Sequence, residues 1–144
     1  LISTCADDQG MAFAVYQEPP DAQGAPVAPY RHGEICYLTI EVPDSARARA
    51  FFGAVLNWEF TPGRAEDGWG ALIGGEEGRF MTGLHGGHPR SIVVPMYSVD
   101  DVHAAVERVR AAGGTATEPE RQPYGITAKC VDDQGSHFYL GQLS

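Results

Sequence analysis

The groups in this 144-residue chain that can do chemistry near neutral pH are five histidines, three cysteines and a scatter of carboxylates. His85 and His88 stand in L-H-G-G-H-P. An H-x-x-H spacing can bring two imidazoles to one metal ion, but the flanking glycines predict a mobile, exposed loop where metal binding would be adventitious. His103, between Val102 and Ala104, reads as a solvated helix residue. His137 shares a strand face with Tyr139, as a polar group in a pocket or an exposed strand residue. Glu41 shares a face with Tyr37 and Thr39. A carboxylate buried there could act as a base or hold a cationic ligand, and the alternative is an exposed residue near a strand end. Trp69 fits a stacking wall or simple core filling, and Tyr124 a pocket rim or a turn anchor. Asp7-Asp8 and Asp132-Asp133 read as turn formers. Cys5, Cys36 and Cys130 are odd in number and form no C-x-x-C pair. They read as reduced structural thiols, which points to a reducing compartment, the cytoplasm.

The elements that must position these groups are legible in the hydrophobic pattern. In I-C-Y-L-T-I-E-V, Cys36, Leu38, Ile40 and Val42 share one strand face, and Tyr37, Thr39 and Glu41 the other. Asp44 or Ser45 can cap a helix whose Phe51, Phe52, Val55 and Leu56 form one stripe, with Asn57 as a left-handed stop. Strand candidates follow at Trp58–Thr61, Trp69–Ile73 and Arg79–Leu84, separated by glycine-rich turns. The order then restarts. Ser91–Val99 reads as a strand despite Pro95, which is unwelcome in a central strand. Asp100 is the expected N-cap of a helix carrying Val102, Ala105, Val106 and Val109, ended by Gly113-Gly114. Short strands are expected near Thr115–Thr117, at Ile126–Val131 and at His137–Gln142. The last of these sets Phe138 and Leu140 opposite His137 and Tyr139.

The chain also repeats itself. Residues 5–10 read C-A-D-D-Q-G and residues 130–135 read C-V-D-D-Q-G. The offset, 130 − 5 = 125, also aligns Phe13 with Phe138 and Gln17 with Gln142. Each copy reads as a hairpin around a D-D-Q-G turn. The expected organisation is therefore a hairpin at 1–18, resembling the end of a preceding like domain, then a Pro/Gly/Ala-rich linker at 19–33, then a domain at 34–144 with modules at about 34–88 and 89–144. A net charge of −9 argues against nucleic acid, which demands a basic stripe. No apolar run approaches the roughly 20 residues of a membrane span.

The tandem βαβββ order resembles the vicinal oxygen chelate superfamily of glyoxalases, bleomycin-resistance proteins and extradiol dioxygenases. The likeness is carried by I-E-V-P-D-S-A-R-A-R-A-F-F-G-A-V-L-N-W, Y-S-V-D-D-V-H-A-A-V-E-R-V-R-A-A-G-G and P-Y-G-I-T-A-K-C-V-D-D-Q-G-S-H-F-Y-L, across about residues 34–144. The resemblance implies an α+β fold of two tandem βαβββ modules in a curved, cup-shaped mixed sheet, a homodimer, and a tandem two-domain parent. It also implies a divalent cation held by His, Gln or Glu, but the corresponding positions fall on Tyr37, Val94 and Tyr139. A fourth lies near Met81–Gly83, where nothing is acidic. These side chains are poor replacements for imidazole and carboxylate, so neither metal nor other cofactor is expected.

Three functions follow. The first is a metal-free cup binding a small hydrophobic or aromatic molecule through Tyr37, Thr39, Trp69, Val94, Met96, His137 and Tyr139. The second is a metal-dependent lyase, isomerase or dioxygenase. The third is an interaction module that has lost its pocket.

Overall fold

A computed structural model describes residues 1–21, 30–77 and 81–144, with only the backbone described at 76 and 77. Residues 22–29 of the expected linker, and Arg79 and Phe80 of one expected strand, lie outside the described residues. The chain divides into two compact units, Leu1–Ala28 with Ile40–Val93, and Pro29–Thr39 with Val94–Ser144.

The first unit begins with an antiparallel hairpin of β1 (Ile2–Ala6) and β2 (Ala12–Tyr16). It continues with the end of β3 (Ile35–Glu41), α1 (Ser45–Leu56), β4 (Trp58–Pro62), β5 (Gly68–Ile73), the short β6 (Glu76–Glu77) and β7 (Met81–His85). The end of β3, then β7, β5 and β4 lie side by side, and β6 pairs with β5. Helix α1 starts where the sequence says it should. The Asp44 carboxylate accepts from the Arg47 amide at 3.1 Å, a cap contributing about 1 kcal/mol. Asn57 ends the helix in the left-handed region at φ 56°. The helix buries Ala48 and Phe52 against Ile40, Val42 and Leu84, with Trp58, Phe60 and Trp69 packed around them.

The hairpin is part of this core. Met11 is buried, and Phe13 meets Phe51 and Phe52 edge-on at 6.1 and 5.8 Å. Its tip is tied to the start of α1. The Gln9 amide group donates to the Asp44 carbonyl and accepts from the Asp44 N–H, both at 2.9 Å. Arg47 grips the Asp8 carboxylate and carbonyl.

The second unit holds the first part of β3, β8 (Ile92–Ser98, from Val94 on), α2 (Val102–Ala111), β9 (Thr115–Ala116), β10 (Glu120–Gln122), β11 (Gly125–Val131) and β12 (His137–Leu143). The strand order is β10, β11, β12, β8, β3, with β9 also on β11. The β12–β8 pair is parallel and β11–β12 antiparallel, so the sheet is mixed. Pro95 lies one residue before the β8–β12 ladder, which begins at Met96. Asp101, not the expected Asp100, caps α2, accepting from the Ala104 amide at 3.1 Å. Asp100 instead faces His32, whose Nδ1 accepts from the Asp100 amide. Val102, Ala105 and Val106 pack on Ala128, Cys130 and Leu140, with Tyr97 and Phe138 alongside. The fold is α+β, one sheet-covering helix per module. Among the described residues no helix is long and apolar enough to cross a membrane.

The sequence repeat is a repeat of atoms as well. Asp7 Oδ1 accepts from the amides of Gln9 and Met11 at 2.8 and 2.7 Å. Asp132 Oδ1 accepts from those of Gln134 and Ser136 at 2.8 and 2.9 Å. Both turns close through a positive-φ glycine, Gly10 at 85° and Gly135 at 91°. A residue with a Cβ resists that conformation, which is why D-D-Q-G ends in glycine twice.

Candidate functional site

Each unit leaves one strand face away from its helix, and the chemistry-bearing side chains lie there. In the second unit, Met96 of β8 and Tyr139 of β12 are register partners. Gly141, next on that face, makes room for the methionine: a Cβ there would stand 2.7 Å from Met96 Sδ. Val94 lies two residues before Met96 on the same face, and both are buried, at 1% and 6% exposure. Tyr37 and Thr39 share one face of β3 and are half-buried. His137, at the first residue of β12, is exposed. Trp69 is placed differently, on the α1 side of β5. There it packs on the α1 core and carries the Arg49 guanidinium 3.7 Å above its ring. Its register partner Leu84 belongs to that same core.

The residues at the positions where the family resemblance implies metal ligands do not fit a divalent cation. Val94 has no donor atom, Met96 beside it offers only a soft thioether, and Tyr37 and Tyr139 offer phenols in place of imidazole and carboxylate. Among the described residues no three His, Cys, Asp or Glu side chains converge on a common point.

The first unit assembles a polar constellation that no single stretch of sequence displays. His88 Nδ1 lies 3.0 Å from Glu41 Oε2, and His88 Nε2 lies 2.8 Å from His85 Nδ1. The side chains of His88 and Glu41 are only 27% and 13% exposed. The expected mobile, exposed H-G-G-H loop is therefore corrected: the loop is pinned. The Val42 amide donates to the His85 carbonyl, Gly87 to Pro43 and His88 to Val42. The Asp67 carboxylate sits where a Cβ on Gly86 would fall, so any side chain at that point would have to displace it. Asp67 is itself at φ 52°, and its Oδ1 accepts from Ser45 Oγ at 2.5 Å and Trp69 Nε1 at 3.1 Å. Those two hydrogen bonds hold its carboxyl below the usual carboxylate range, with His85 and Arg49 adding attraction.

Glu41, His85 and His88 were each visible as candidates, but their connection was not, because 47 residues separate Glu41 from His88. Asp67 carried no signal beyond its place in a turn.

Comparison with known proteins follows the same lines. A family model described as "Glyoxalase-like domain" matches residues 37–140. No curated protein matches the chain by sequence. Among solved structures, methylmalonyl-CoA epimerase from Mycobacterium tuberculosis is similar, with 14% identity over 81% of this chain and 92% of that one, at a TM-score of 0.57. A glyoxalase/bleomycin resistance protein/dioxygenase superfamily member from Vibrio splendidus 12B01 shares 18% identity over 74% and 96% of the two chains, TM-score 0.53. The 2,2',3-trihydroxybiphenyl 1,2-dioxygenase from Sphingomonas wittichii strain RW1 shares 15% over 79% of this chain and 42% of that one, TM-score 0.55. At these identities the likeness is one of fold.

Proposed function

This chain belongs to the glyoxalase-like domain family, within the glyoxalase/bleomycin resistance/dioxygenase superfamily, and from that premise we propose that it binds a small hydrophobic or aromatic molecule without a metal. The observation that carries the reading is the Met96–Tyr139 pair. A thioether and a phenol ring lie side by side on the face away from α2, and Gly141 clears space for the thioether. Aromatic rings supply flat apolar area with a polar handle, and a methionine adapts to an irregular ligand. Tyr37 and Thr39 add a second phenol and a hydroxyl.

Equilibrium dialysis of the protein against a panel of aromatic metabolites and antibiotics tests this. Saturable binding at micromolar levels is expected, weakened about tenfold or more in Tyr139→Ala. Absence of any saturable binding would count against the reading. The competing reading, a metal-dependent enzyme, is addressed by elemental analysis of protein purified without chelators. Stoichiometric Ni, Zn, Mn or Fe would overturn the metal-free proposal.

A further inference from the structure

We infer that Glu41, His88 and His85 form a proton relay that makes His85 Nε2 a general base for small, uncharged, planar molecules bearing an acidic C–H or O–H. Glu41 lies on the same β3 face as Tyr37 and Thr39, but the relay uses none of the residues of the binding reading, so the two are tested separately.

The hydrogen-bond chain fixes which atoms carry protons. A carboxylate only accepts, so His88 donates from Nδ1 to Glu41 Oε2. In neutral His88 the lone pair is then on Nε2, and the short contact there must be a donation from His85 Nδ1–H. Neutral His85 is thereby left with its lone pair on Nε2. That atom has no hydrogen-bond partner among the described residues, and it is not sealed from solvent. Both nitrogens of His88 are spent in the chain, so the three residues cannot converge on a metal ion.

The setting suits a base that works on a bound molecule. Beside His85 on the face away from α1, the cross-strand positions are glycines: Gly68 pairs with His85, and Gly70 with Gly83. Ala65 and Thr61 come within 3.1 and 3.5 Å of where a Cβ on Gly68 and Gly70 would fall, so the side chains beside these positions are small and uncharged, which suits a small, uncharged molecule presenting a hydrogen to the imidazole. The backbone ties of residues 85–88 and the Asp67 wedge hold the base before substrate arrives, so orientation need not be acquired during reaction. The titratable and charged groups around His85 are His88 from its own loop, Glu41 from β3, Asp67 from the turn before β5, and Arg49 of α1 acting on Asp67. In the step itself, Nε2 takes the substrate proton and the substrate keeps the electron pair. The positive charge is spread by shifting the His85 Nδ1 proton toward His88 and the His88 proton toward Glu41, and the proton later returns to product or water. Glu41 and His88 are positioning residues, and His85 is the catalytic one.

The probe is 5-nitrobenzisoxazole, an uncharged planar ring. Removal of its ring C–H proton breaks the N–O bond and releases coloured 2-cyano-4-nitrophenolate, with no other reactant needed. The intact protein should exceed free imidazole at equal concentration by about 100-fold or more. His85→Ala should remove that excess. Glu41→Gln should lower it at least about tenfold and displace its pH profile, and Glu41→Asp should restore part of both. His103→Ala, on the exposed side of α2, should leave the rate unchanged. A wild-type rate no greater than imidazole, or one that survives His85→Ala, overturns the proposal. A rate and pH profile untouched by Glu41→Gln overturns the relay. The Tyr139→Ala variant separates the two sites, because it should retain this activity while losing ligand binding.

Discussion

Replacing Phe13 by alanine should loosen the first unit as a whole, because the hairpin that carries it is packed into the core around α1. Full burial makes a Phe→Ala change cost about 3–5 kcal/mol. Phe13 is half-buried, so roughly half of that applies, and losing its edge-on contacts with Phe51 and Phe52 adds about 0.5–1 kcal/mol. The expected loss is about 2–3 kcal/mol. With a urea dependence of roughly 1–3 kcal/mol per molar, the midpoint should fall by about 1 M or more. Tryptophan fluorescence is the assay of choice, since Trp58 and Trp69, the two tryptophans of the chain, both lie in this unit. Trp58 is stacked on Phe52 at 5.5 Å, one ring away from the mutated site. A double-mutant cycle with Phe51→Ala should return a coupling of about 0.5–1.5 kcal/mol. A Phe13→Ala midpoint displaced by less than about 0.5 kcal/mol-equivalent, with zero coupling, would show that the hairpin does not dock on α1 in solution.

Two further outcomes follow from the same physics. Burial pushes the thiols of Cys36 and Cys130 up, so thiolate is scarce at neutral pH. Cys5, less enclosed, should react first with Ellman's reagent under native conditions, and equal rates at all three sites would contradict the packing. The Asp132 carboxyl is held below its ordinary value of 3.8 by the amides of Ser136 and Gln134. Its contribution is therefore complete above the ordinary carboxylate range and is lost as pH falls through the lowered value. Carbon-13 titration of the Asp132 carboxyl should give a midpoint below 3.8, with the Ser136 amide exchanging faster under more acidic conditions. A midpoint at or above 3.8 would mean that the turn does not hold the carboxylate as described.

The amino-acid sequence by itself determined the elements and their local chemistry. The alternation of Cys36 to Val42, the Asp44 cap, the Asn57 stop and the twin D-D-Q-G hairpins all rest on interactions between residues a few positions apart. Such interactions are nearly independent of what surrounds them. A one-residue error, Asp100 for Asp101, arose because two adjacent aspartates offer the same cap and only the docking of Asp100 beside His32 separates them. The family resemblance was readable for the same reason, being a pattern of such elements in order. Tertiary structure alone decided which far-separated side chains meet. Trp69 sits on the α1 side of its strand because its register pairs it with Leu84 of the core. Glu41 reaches His88 because the end of β3 lies beside β7, a neighbour set by strand order and not by sequence distance. The H-x-x-H loop brings its two imidazoles to Glu41 because backbone hydrogen bonds tie it to Val42 and Pro43, with a carboxylate wedged against Gly86.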